Sequence, residues 1–189
     1  MSEVAGLIVD LATARSPTLG SGRLICVDGP AGSGKTTLAG HLAAVCGADV
    51  VHTDELMDGW RGLDAVARQL ITLLEPLAAG RAGHYDRYDW HQGRYANQIR
   101  VEPAPWLVVE GVGSGAPAIA SLCTALVWVE VDDQVRLARG LERDGHALEG
   151  PWRQFMKDEA ALFATDSTRD RADVHVDGTG LQPPLVRGT

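Results

Sequence analysis

The run Gly29-Pro30-Ala31-Gly32-Ser33-Gly34-Lys35-Thr36 constrains this chain more than any other feature. It satisfies G-x-x-x-x-G-K-S/T, the P-loop, which wraps the phosphates of a nucleoside triphosphate. The glycines let the backbone turn tightly and aim successive N–H groups inward, a nest for anionic oxygens. Lys35 offers a point charge to the β- and γ-phosphates. The Thr36 hydroxyl can ligate Mg²⁺, and the helix opening there turns its positive end toward the phosphates. The flanks fit the motif: Leu24-Ile25-Cys26-Val27 is a short apolar strand, and Thr37 to Val45 carries Leu38, Leu42 and Val45 at helical spacing. Strand, glycine-rich loop and helix together make ATP with Mg²⁺ the expected ligand of Gly29, Pro30, Ala31, Gly32, Ser33, Gly34, Lys35, Thr36 and Thr37, in preference to a chance Gly/Ser turn bearing a surface lysine.

The chain has 189 residues, enough for one domain with a full core. Its net charge of −8 and lack of a dense Lys/Arg run argue against a nucleic-acid partner, while a small anionic substrate could still be met by local charges. No apolar run reaches the length of a membrane span. Met1 to Ser16 lacks a basic n-region and carries Glu3 and Asp10, so it does not read as a signal peptide. Cys26, Cys46 and Cys123 have neither C-x-x-C nor metal-ligand spacing and suit a reducing compartment, the cytoplasm. A homodimer stays an option.

Along the chain, Val4, Leu7, Ile8 and Leu11 predict an N-terminal helix over residues 3–14 that leans on the sheet. Ala48 to His52 reads as a second strand, and Asp54 to Gly62 as a loop rich in Asp and Gly. Leu63, Val66, Ala67, Leu70, Leu73, Leu74 and Leu77 follow a helical period closely. Gly83 to Gly93 is polar and aromatic with no clean period. Trp106 to Val109, Ala125 to Val131 and Asp173 to Asp177 read as further strands, and Gln134 to Arg143 and Pro151 to Phe163 as helices. Arg187 to Thr189 reads as a frayed tail. Short apolar strands alternating with helices indicate an α/β fold, a parallel sheet covered on both faces, with ligands beyond the carboxyl ends of the strands. The P-loop, Asp54, Glu110 and Asp132-Asp133 all fall at such ends.

Asp54, after the second strand, would face the γ-phosphate, where a carboxylate can accept a proton from an attacking hydroxyl and hold Mg²⁺ through water. A helix or turn cap is the bland alternative, and Glu55 beside it reads as exposed. Glu110 ends Leu-Val-Val-Glu-Gly at a Walker-B-like position and can help hold the metal, or else make a structural ion pair. Arg136, Arg139 and Arg143 share one helix face that could close over the triphosphate as a lid, or simply be a solvated basic stripe. Gly140 and Gly145 would let that segment move. Tyr85 to His91, with Arg94, could stack on a flat substrate face or be an aromatic cluster in a hairpin. His52 reads as packing beside the second strand, and nothing in the sequence suggests zinc.

These residues resemble the uridine kinase and phosphoribulokinase family of P-loop kinases. The likeness runs through the P-loop, Glu110-Gly111, Tyr88-Asp89-Trp90 with Arg94, Arg139 with Arg143-Asp144, and Thr168 to Val174. The resemblance implies a P-loop NTPase fold of the nucleoside/nucleotide kinase type: a three-layer sandwich around a five-stranded parallel sheet, order 2-3-1-4-5. It implies ATP-dependent transfer of the γ-phosphate to a hydroxyl of a nucleoside or similar small metabolite. Lys35, Arg139 and Arg143 would stabilise charge, Arg139 also touching ATP, and Asp54 would be the base. Thr36, Glu110 and Asp54 would hold the metal, Asp54, Tyr88, Asp89 and Arg94 would meet the acceptor, and residues 136–150 would form the mobile lid. A kinase for a sugar acid, or an ATP-binding regulatory protein without small-molecule kinase activity, are the alternatives. The sequence departs from the family where His91 sits close to Tyr88, where Gly93 precedes Arg94, and where Asp54 is followed by Glu-Leu-Met-Asp-Gly-Trp rather than Phe-Tyr. The chain's length leaves little room for the family's acceptor-pocket hairpin.

Overall fold

The computed structural model describes residues 1–187. In chain order the elements are α1 (Ser2–Thr13), β1 (Arg23–Asp28), α2 (Lys35–Cys46), β2 (Asp49–His52) and α3 (Leu63–Ala78). These are followed by β3 (Gly83–Asp89), β4 (Arg94–Val101), β5 (Trp106–Glu110), β6 (Ala125–Glu130) and α4 (Asp133–Asp144). The chain then forms α5 (Glu149–Asp166), α6 (Thr168–Arg171), β7 (Val174–Asp177) and β8 (Leu185–Val186). None of the described helices is long and apolar enough to cross a membrane.

The main sheet runs β2-β5-β1-β6-β7-β8. Its first five strands are parallel, and β8 adds antiparallel to β7 as a sixth. Counted among the parallel strands alone, the order is the expected 2-3-1-4-5; the antiparallel edge strand is an addition. Strands buried on both faces read as continuous apolar runs, and Leu24, Ile25, Cys26 and Val27 of β1 are all fully buried. Alternate residues feed two cores: Leu24 and Cys26 meet Leu70, Leu74 and Phe155, while Ile25 and Val27 meet Ile8, Leu38 and Leu42. The three-layer sandwich follows from that division.

Three expectations needed correction. The helix α1 leans on the sheet, Ile8 sharing a core with Ile25 and Val27, and packs on α2 as well, but it buries Ala5, Ile8 and Ala12 while Leu7, expected on the apolar face, stays exposed. Second, Gly83 to Gly93 is not irregular, and the chain does have room for a hairpin. Here β3 and β4 pair antiparallel as a separate two-stranded sheet, with a register shift between Arg87 and Tyr88. The hairpin lies against α3 and turns Tyr85 into the core, while most of β4 is exposed. Alternation needs one buried face, and β4 and the second half of β3 are largely exposed on both, so the period that marks a strand is missing. Third, Arg187 is not frayed: its amide donates to the Asp173 carbonyl at 2.8 Å. The remainder of that predicted tail, 188–189, lies outside the described residues.

Candidate active site

The P-loop leaves β1 at Asp28, a fully buried carboxylate with no motif in the sequence to mark it. Asp28 accepts from the amides of Gly29 (2.7 Å), Gly113 (3.0 Å) and Gly115 (2.7 Å), so it ties the P-loop to the loop that follows β5. Burial pushes its pKa up to about 6, against the pull of those N–H groups and of Lys35. Glu159 of α5, also buried and also unforeseen, accepts the Ala31 amide at 2.8 Å and pairs with Arg136. The Ser33 amide donates to Pro30 O. The amides of Gly32, Gly34, Lys35, Thr36 and Thr37 find no acceptor among the described residues. They gather at the start of α2, where such amides can receive an anion. Gly32 has φ +78°, and a Cβ there would lie 2.6 Å from the Arg136 carbonyl oxygen, so only glycine fits between the loop and α4.

Lys35 is buried and its Nζ donates to Pro30 O at 2.8 Å. Burial lowers its pKa, opposed mainly by Glu110 and then Asp28. The Thr36 hydroxyl donates to Glu110 Oε1 at 3.0 Å. Contrary to the packing role expected of it, His52 places Nδ1 at 2.6 Å from the same Glu110 oxygen. The register explains this: His52 lies opposite Glu110 in the β2–β5 pairing, so their side chains share a sheet face at the carboxyl ends. That hydrogen bond raises the His52 pKa.

Asp54 sits in the single turn after β2. It caps no helix, and its carboxylate makes no hydrogen bond to another side chain among the described residues. It is exposed, yet its pKa is raised, by desolvation first and by Glu110 second. Its backbone carbonyl accepts Trp90 Nε1 from the hairpin tip at 3.0 Å. Glu55, expected to be exposed, is half-buried and accepts the Tyr85 hydroxyl at 2.8 Å.

The three arginines do not act as one stripe. Arg136 is buried behind the P-loop, held by Glu159 and by Asp133 at 2.8 Å. Arg139 lies over the loop, with Nη1 3.4 Å from the carbonyls of Gly32 and Gly178. Arg143 is bidentate on Asp144 at 2.7 and 2.9 Å, which raises its pKa, with smaller contributions from Asp54 and Glu110 across the crevice. Gly140 is a packing position, not a hinge: a Cβ there would meet the Trp152 ring at 2.3 Å. Gly145, at φ +100°, has open space around it.

On the other wall, Tyr88 packs edge-to-face on Trp90 and Tyr95, with centroids 5.4 and 5.5 Å apart. Asp89 is spent on the hairpin turn, accepting the amides of His91 and Gln92 at 2.9 Å each. Arg94 is exposed and donates to Gln92 Oε1 at 2.6 Å. In the Thr168 to Val174 stretch, Arg169 pairs with Glu130 at the end of β6.

Among the described residues no three Asp, Glu, His or Cys side chains gather into a metal cage. Thr36 and Glu110 instead offer two hard oxygens beside the nest. That donor set fits Mg²⁺, which takes few protein ligands and completes its shell with phosphate oxygens and water.

No family model matches the sequence, and no curated protein matches it. Solved structures do. A Bacillus stearothermophilus protein provisionally named a uridine kinase shares 19% identity at TM-score 0.63, over 93% of this chain and 100% of its own. A Silicibacter sp. TM1040 protein provisionally named a fructose transport system kinase shares 20% identity at TM-score 0.61, over 86% of this chain and 94% of its own. The YGR205w protein shares 11% identity at TM-score 0.58, over 99% of this chain and 96% of its own. The chain shares the fold of these structures.

Proposed function

We propose that the protein is a Mg-ATP-dependent phosphotransferase whose acceptor is a hydroxyl of a nucleoside or similar small metabolite. The observation that carries this reading is the Asp54 carboxylate, bonded to no other side chain and close enough to Glu110 and Arg143 to share their field, beside a P-loop with Lys35 buried in it. The neighbours named as kinases support the reading by analogy.

In this reading the amides of Gly32, Gly34, Lys35, Thr36 and Thr37 with the Lys35 ammonium would hold the phosphates, and Thr36 and Glu110 would hold Mg²⁺, with Asp54 reaching it through water. The metal would supply charge neutralisation at the β- and γ-phosphates. Asp54 orients the acceptor hydroxyl and takes its proton, a task suited to a carboxylate whose pKa burial has raised. Arg139 and Arg143, on a lid of residues 136–150, meet charge on the transferring group. Arg143 would have to exchange part of its pairing with Asp144 for that contact. Tyr88 and Arg94 line the acceptor side, and Asp89 contributes by holding the hairpin turn that carries them. One domain bears the whole site, and its three free cysteines suit the cytoplasm.

The test is ADP release from Mg-ATP across nucleosides, sugars, sugar acids and vitamins, with Lys35→Ala as blank. One acceptor that raises turnover well above basal hydrolysis, an effect lost in the blank, is the expected result. Tight ATP binding with turnover indifferent to every acceptor would overturn the kinase in favour of a regulatory nucleotide-binding protein.

A further inference from the structure

The crevice has two walls, and one continuous line of aromatic side chains joins them. At the acceptor wall Trp90 donates its indole N–H to the Asp54 carbonyl at 3.0 Å. Its ring packs edge-to-face on Trp60, centroids 5.8 Å apart. Trp60 belongs to the turn Gly59–Arg61, just beyond Asp54, and also packs on Trp152 (5.9 Å) and Phe155 (5.9 Å) of α5. At the lid, Trp152 Nε1 donates to Asp144 Oδ2 at 3.0 Å, the oxygen that also accepts Arg143 Nη2. The Arg143 guanidinium lies 5.9 Å from the Trp152 ring centroid. Trp152 is 1% exposed and sits so close to α4 that Gly140 has no room for a side chain.

We propose that Trp60 and Trp152 are positioning residues that couple the Asp54 side of the crevice to Arg143. This rests on the kinase reading only in taking the crevice to bind nucleotide. If Arg143 turns toward a triphosphate, Trp152 loses a cation at its face, and the oxygen it donates to loses its second donor. Trp152 is packed on all sides, so it answers by moving with α4 and α5 rather than alone. Trp60 lies edge-on to it and must follow, and Trp90 carries the displacement to the Asp54 backbone. The same contacts run in reverse: an acceptor pressing on Trp90 biases where Arg143 rests, because coupling between two sites is reciprocal. Edge-to-face contacts are directional, so an aliphatic side chain in place of the ring loses the link.

The experiment labels the five tryptophans with 5-fluorotryptophan and assigns the ¹⁹F resonances by single Trp→Phe variants. It titrates Mg-ADP, then a non-hydrolysable Mg-ATP analogue, and follows nucleotide affinity by calorimetry. Trp152, Trp60 and Trp90 should all shift with the analogue. Trp106, far from the line at the start of β5, should not. In Trp60→Leu the Trp90 shift should vanish while Trp152 still responds and the analogue binds within about threefold of the parent. Trp152→Phe, which keeps a ring but loses the bond to Asp144, should weaken the response at both Trp60 and Trp90. Should Trp152→Phe fail to fold, the half-buried Trp60→Leu decides alone. A shift confined to Trp152, or a Trp90 shift that survives Trp60→Leu, would overturn the coupling. A protein that shows the linked shifts yet transfers phosphate to no acceptor loses the kinase reading and keeps this one. A protein that binds no nucleotide loses both.

Discussion

In the proposed reading the crevice has a donor wall and an acceptor wall, and the two are built by different means. The donor wall is backbone held by buried charge: Asp28 and Glu159 spend their oxygens on P-loop and neighbouring amides, and Lys35 and Arg136 stand by to offset the desolvated carboxylates. The acceptor wall is side chain held by ring packing: Trp90, Tyr88 and Tyr95 stack along a two-stranded hairpin whose second strand is largely exposed. A wall of buried, hydrogen-bonded backbone is set before any ligand arrives, and substitution there costs fold and function together. Surface rings can be exchanged at little cost to the core, so the acceptor can change while the donor stays fixed.

Substitutions on each wall sharpen the contrast. Lys35→Ala removes the one cation inside the nest, and acceptor-dependent ADP release should fall by about 10³-fold. Asp54→Asn keeps shape and loses the proton acceptor. Its kcat should drop about 10²-fold with the KM for ATP unchanged, as read by initial rates at saturating acceptor. An equal loss in KM would move Asp54 to the donor wall.

Asp28→Asn probes the buried charge. The carboxyl titrates at about 6 in the folded chain against 3.8 for an unperturbed aspartate, so the folded state holds its proton longer than the unfolded state. Wild-type stability relative to the variant is therefore greatest at low pH. It should fall by about 3 kcal/mol as pH rises through that window, measured by urea unfolding at intervals between about pH 3.5 and 7. A flat difference would mean that Asp28 titrates alike in the folded and the unfolded chain. On the acceptor wall, Arg94→Ala should raise the acceptor KM no more than about fivefold and leave stability unmoved, since Arg94 is exposed and bonded only to Gln92. A large loss of stability there would erase the distinction between the walls.

The contrast also decides what the sequence could reveal. The donor wall follows from a contiguous motif, because its chemistry lies in consecutive backbone groups; Gly29 to Thr37 could be read off directly, and the parallel sheet followed from unbroken apolar strands. Glu110 was readable as a carboxylate ending a buried strand. His52 was not, although the implied strand order sets strand two beside strand three and so sets their terminal side chains face to face. Glu159 gave no signal: it is one acid on a helix, and only the approach of α5 to Ala31 makes it a P-loop ligand. Arg136 had the spacing of its neighbours, but helical period says which face a residue lies on, not whether another helix covers that face. The hairpin was hidden because most of its residues meet solvent on both faces, so no apolar alternation marks it as strand.

The outer strands of the main sheet carry a last consequence. β8 is two residues long and β2 four, with Asp49 exposed at its start. A parallel sheet presents an unpaired ladder at each margin, and a long flat margin invites strands from other chains. Here the ladder of β7 is covered along half its length by Leu185 and Val186, and Arg187 extends the cover with its amide on Asp173. Both margins are short among the described residues, which discourages self-association by sheet extension at either end.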